Sequence, residues 1–103
     1  MNRPLIAFAL LALARPALAQ EEKTVAIDNF VFAPAKLEVK VGAKVAFVNH
    51  DDTPHNIVVD ALKKRSRALD TNERYDIVFD RPGEYVYFCG LHPQMTGRIA
   101  VTP

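Results

Sequence analysis

The chain's only cysteine, Cys89, opens the run Cys89-Gly90-Leu91-His92-Pro93-Gln94-Met95, in which a thiol, an imidazole and a thioether recur at every third position. A second imidazole, His55, stands 34 residues upstream, behind Asp51-Asp52-Thr53-Pro54. Two histidines and a cysteine in a trigonal set, with a weak and distant methionine, form the ligand arrangement of a blue-copper electron-transfer site. Thiolate and thioether suit Cu(I), and imidazole suits both oxidation states. A site poised between those preferences rearranges little when an electron arrives, which fast transfer requires.

Each residue also has a plainer reading. A single Cys in a small β-domain is commonly a buried apolar side chain. His92 before Pro93 could be a solvated turn residue, Met95 could be core packing, and His55 could cap a turn. Their conjunction argues otherwise, because three donors share one loop and the fourth marks a strand boundary. His50, beside Asn49 and Asp51, would compete with His55 and is expected to be a solvated loop residue. In Thr53-Pro54-His55-Asn56, the proline fixes the approach to His55, and Asn56 is placed to bind the neighbouring loop. A structural Cys-His-His zinc site is a rival that the methionine makes less apt.

The elements that must position these donors are strands. Val25 and Ile27, then Leu37, Val39 and Val41, then Val45 and Phe47, then Tyr75, Ile77 and Phe79 all follow period two. Asn56 to Val59 is a β-branched run, Glu84 to Cys89 another strand, and Gly97 to Val101 the last. Gly42-Ala43 and Asp80-Arg81-Pro82-Gly83 are turns by composition. About seven short strands and no convincing helical period predict a single all-β sandwich of two antiparallel sheets. Ala61 to Asp70 breaks the rhythm and is expected to be a loop or one helical turn. If Tyr85, Tyr87 and Cys89 point inward, the sulfur lies at the end of the core, where strand gives way to loop.

Arg3, the apolar run Leu5 to Ala14, Pro16 and Ala17-Leu18-Ala19 predict a signal peptide over 1–19, cleaved after Ala19. The run is about half the ~20 residues that span a bilayer. The remaining domain, 20–103, is expected to be soluble, without membrane attachment, and exported to the periplasm. Without the leader, 11 Lys+Arg face 12 Asp+Glu, a formal net charge of −1 that gives no general attraction to nucleic acid. One cysteine cannot form a disulfide within the chain, so in an oxidising compartment Cys89 is either an unpaired thiol or has another partner. A metal ion would be one.

Phe32-Ala33-Pro34-Ala35-Lys36-Leu37-Glu38-Val39, Val41-Gly42, Phe47-Val48-Asn49, Pro54-His55-Asn56 and Gly83-Glu84-Tyr85-Val86-Tyr87-Phe88-Cys89 resemble the cupredoxin family. The compact C-x-x-H-x-x-M loop is similar to that of the amicyanins, although Gly90, Leu91 and Gln94 depart from their loop. The resemblance implies a Greek-key β-sandwich with one type 1 copper per chain, cycling between Cu(I) and Cu(II) on His55, Cys89, His92 and Met95. It implies that Asn56 hydrogen-bonds the ligand loop and that backbone amides donate to the sulfur. It also implies a monomeric one-electron carrier, not an enzyme, whose partners are redox proteins such as a periplasmic dehydrogenase or a c-type cytochrome. A copper delivery or storage protein could use the same four ligands. Such proteins tend to carry extra exposed Met and His, whereas Met95 is the only methionine left once Met1 departs with the leader. A copper oxidase or nitrite reductase needs more histidines than the three present.

Overall fold

The computed structural model describes residues 20–103, so the expected leader lies outside the described residues. Nine strands follow in chain order: β1 Glu22–Asp28, β2 Val31–Ala33, β3 Lys36–Lys40, β4 Ala43–Asn49, β5 Val58–Val59, β6 Lys64–Arg65, β7 Arg74–Phe79, β8 Gly83–Phe88 and β9 Thr96–Thr102. They form one sheet in the order β2-β1-β4-β7 and a second in the order β3-β9-β8-β5-β6. The chain passes repeatedly from one sheet to the other, and the expected all-β sandwich is the result.

Two details differ from the sequence reading. The described residues hold nine strands instead of about seven, the two additional ones being β2, which pairs with β1, and the two-residue β6, which pairs with β5. The sheets are mixed, not antiparallel: β1 runs parallel to β4 (Thr24 opposite Ala46), and β3 runs parallel to β9 (Glu38 opposite Ala100). The physical reason is that period-two alternation reports which face of a strand is buried. It does not report the direction of the neighbouring strand.

Alternation delivers the core as expected. Val25, Ile27, Val45, Phe47, Ile77 and Phe79 come from the first sheet, and Val39, Tyr85, Tyr87, Ile99 and Val101 from the second. Each such side chain contributes about 1.5–3 kcal/mol by leaving water. Tyr87 sits edge-on to Phe32 and Phe47, with centroids 4.7 and 5.0 Å away. Val86, on the other face of β8, is 50% exposed, so Tyr85, Tyr87 and Cys89 are the inward set. The sulfur therefore lies at the end of the core.

The segment after His55 shows why a β-branched run need not become a long strand. Only Val58–Val59 pairs as β5, because the Asn56 N–H is drawn to Cys89 Sγ and the Ile57 N–H to Ser66 Oγ. Asp60–Leu62 is a single 3-10 turn ended by Lys63 in the left-handed region (φ 55°), and β6 follows. Ala61 to Asp70 thus contains a helical turn and also a short strand. Among the described residues, no helix is long and apolar enough to cross a membrane.

Candidate metal centre

Phe88 of β8 pairs with Thr96 of β9, so the seven residues from Cys89 to Met95 make up the hairpin loop. The loop is closed by its own backbone: Cys89 N–H donates to Met95 O (3.1 Å), His92 N–H to Cys89 O (3.2 Å) and Met95 N–H to His92 O (2.9 Å). Those contacts coil the chain so that every third residue returns to the same side. His55 comes from the other edge of the site. It is held to Leu69 by a reciprocal backbone pair, at 3.2 Å and 2.7 Å.

The two segments bring three of the four predicted donors together. Cys89 Sγ lies 3.7 Å from Nδ1 of His55 and 3.7 Å from Nδ1 of His92. Ligand atoms of His55, Cys89 and His92 all fall within 4.8 Å of one another. His55 and Cys89 are fully buried, and His92 is half-buried. Met95, the fourth predicted donor, is buried in the same loop and packs with the core cluster. His50 is exposed and stands outside the cluster, as its reading as a loop residue requires.

The surroundings fix the chemistry of these groups. His55 Nε2–H donates to Asp51 Oδ2 at 2.8 Å, which places the proton on Nε2 and leaves the Nδ1 lone pair directed toward the sulfur. Burial would raise the Asp51 carboxyl, but the N–H groups of Phe30 and Asn29 and the His55 ring outweigh it and hold the group below its ordinary value. The Asn56 N–H donates to Cys89 Sγ (3.4 Å), and Asn56 Oδ1 accepts the Gly90 N–H (2.6 Å). Asn56 thus bonds the ligand loop as expected, and where several backbone amides were expected at the sulfur, one among the described residues donates to it. Cysteine binds metal as the thiolate.

The donor set fits copper. A thiol and two imidazoles with free Nδ1 atoms converge in a buried site with a thioether in the same loop, a soft N,S set unsuited to Mg²⁺ or Ca²⁺. Sequence reasoning assigned no role to Asp51 or Phe30. The four-residue spacing from Asp51 to His55 was the available signal for the first. Phe30 had none, since its ring reaches His55 and His92 only through the fold, with centroids 5.0 and 4.9 Å away.

Comparison with known proteins agrees with this geometry. A family profile described as a cupredoxin-like domain matches residues 4–101. Amicyanin from Paracoccus versutus is 32% identical over 85 residues, covering 75% of this chain and 62% of that protein. Methylamine utilization protein MauL from Methylorubrum extorquens is 35% identical over 91 residues, covering 85% of this chain and 79% of that protein. Among solved structures, an oxidized amicyanin variant superimposes with a TM-score of 0.73 at 29% identity, covering 76% of this chain and 79% of that one. The chain therefore spans about three fifths of the length of the Paracoccus amicyanin.

Proposed function

The chain belongs to the cupredoxin-like family, and on that premise we propose that it is an exported blue-copper protein carrying single electrons between redox partners in the periplasm. In this reading His55, Cys89, His92 and Met95 are the copper ligands, residues 1–19 are the leader, and 20–103 is the working domain, a monomer without enzymatic activity. The observation that carries the proposal is that one sulfur stands 3.7 Å from the Nδ1 atoms of two histidines from different segments.

Copper bound there supplies a one-electron Cu(II)/Cu(I) couple. The residues do the rest. Asp51 and Leu69 hold His55, the Asn56 amide supports the sulfur, and the short loop limits how far His92 and Cys89 can separate. Low freedom at the donors means little reorganisation when charge changes. His92 is the half-buried member of the set, with Leu91 (50% exposed) and Phe30 (44% exposed) beside it. A small apolar rim of this kind suits brief, close docking more than tight binding. A periplasmic dehydrogenase is a fitting donor and a c-type cytochrome a fitting acceptor, and one relative is named for methylamine utilization.

Cyclic titration of the copper-loaded protein with reductant and oxidant tests the reading. Reversible bleaching and return of a visible band, with one copper retained throughout, is the expected result. Colourless protein that surrenders Cu(I) readily to a chelator would replace the carrier with a copper delivery or storage role.

A further inference from the structure

The two imidazoles are oriented by different means. A metal-binding histidine normally donates its second ring nitrogen to an acceptor that fixes the ring. His55 does so, to Asp51 at 2.8 Å. His92 turns Nδ1 to the sulfur, yet its Nε2 makes no hydrogen bond among the described residues. What touches the ring is aromatic. Phe30 meets it edge-on at 4.9 Å (84° between planes) and meets His55 the same way at 5.0 Å (89°).

Phe30 is held there against its backbone preference. Asn29 and Phe30 both adopt positive φ, 53° and 60°, a region that side-chain-bearing residues disfavour and that is an outlier for a bulky one. The Asn29 N–H donates to Asp51 Oδ1 (2.6 Å) and the Phe30 N–H to Asp51 Oδ2 (2.9 Å). One buried carboxylate thus stabilises the turn and also accepts the hydrogen bond from His55 Nε2–H. Strain kept at such a place by a dedicated acceptor points to a functional constraint.

We propose that Asp51 is the positioning residue for both imidazoles, directly for His55 and through the clamped ring of Phe30 for His92. The assignment rests on the proposed electron-carrier reading for its purpose: an aromatic edge can orient His92 without placing a polar group on the side of the ring where a partner approaches.

The test compares Phe30→Leu, Phe30→Tyr and Asp51→Asn in the full-length exported protein. In the metal-free protein, carbon relaxation of the two histidine rings is read by NMR. Phe30→Leu should loosen His92 alone, Phe30→Tyr should restore it, and Asp51→Asn should loosen both rings. In the copper-loaded protein, a chelator should remove copper about tenfold faster from Phe30→Leu than from the parent, as expected for losing an edge-to-face contact. Phe30→Tyr should stay within about twofold of the parent by the same argument. A His92 ring as ordered in Phe30→Leu as in the parent would overturn the proposal, as would equal loosening of both rings. If Asp51→Asn does not fold, the two Phe30 variants still decide. Failure of the parent protein to take up copper would sink the functional reading, while the ring measurements would still judge this one.

Discussion

Asn56 Oδ1 accepts the Gly90 N–H at 2.6 Å, so the segment that carries His55 is latched to the loop that carries His92. Asn56→Ala removes the acceptor and leaves a part-buried N–H unpaired, at a cost of about 1–3 kcal/mol. The Asn56 backbone bond to the sulfur survives the change. Urea unfolding of the metal-free protein should show a lower midpoint with an unchanged slope. An unchanged midpoint would mean the latch carries no weight.

Tyr87 and Gly97 face one another across β8 and β9, and a Cβ on Gly97 would run into the tyrosine ring. Gly97→Ala should therefore destabilise by about 1–3 kcal/mol through overpacking. The Tyr87 hydroxyl is buried without a partner among the described residues, and burial pushes the phenol above its ordinary range. Tyr87→Phe should accordingly be neutral or stabilising by up to about 1 kcal/mol. Thermal unfolding of the two variants distinguishes the effects, and a clear loss of stability in Tyr87→Phe would contradict the assignment.

Glu73 predicts a pH dependence. The Arg67 guanidinium, 2.8 Å away, and the Asp70 N–H hold its carboxyl below the ordinary value of 4.5. A depressed folded-state value contributes stability that is present above the ordinary value and lost as pH falls through the folded one. Glu73→Gln should be slightly less stable than the parent at pH 7, with the gap closing below about pH 4.5. Solvent screens this exposed pair, so the effect is small. A gap that widens in acid would reverse the sign.

Charge near the site should follow Arg65. Its guanidinium Nη1 lies 3.2 Å from where a Gly90 Cβ would sit, against the metal loop. Arg67, by contrast, is already paired with Glu73. Of the basic run Lys63 to Arg67, Arg65→Glu should slow oxidation of the copper protein by anionic ferricyanide severalfold at low salt. Arg67→Glu should matter less. Stopped-flow rates across ionic strength decide the matter, and equal effects of the two variants would remove Arg65 from its place beside the site.

Much of this was legible in the residues themselves. The donors were visible because thiol, imidazole and thioether are scarce in the chain and fall at regular spacing. Val25, Phe47, Ile77 and Tyr87 were identifiable as core because alternation encodes burial. Strand direction was hidden, since Thr24 has the same periodicity whether Ala46 runs beside it in parallel or not. The Asn56–Val59 run exceeded its real strand because propensity does not register a backbone N–H committed to sulfur. Phe30 was invisible for a similar reason: its contacts with His55 and His92 exist only after the turn at Asn29 adopts its left-handed form.

A metal ion shared by the Cys89 sulfur and two imidazoles has a signature in the visible spectrum. Purified protein titrated with Cu(II) should develop an intense thiolate-to-copper absorption that saturates at one copper per chain and is absent in Cys89→Ser. A colourless or only faintly coloured product, or an intense band that survives Cys89→Ser, would mean that the Cys89 sulfur does not bind copper in this way.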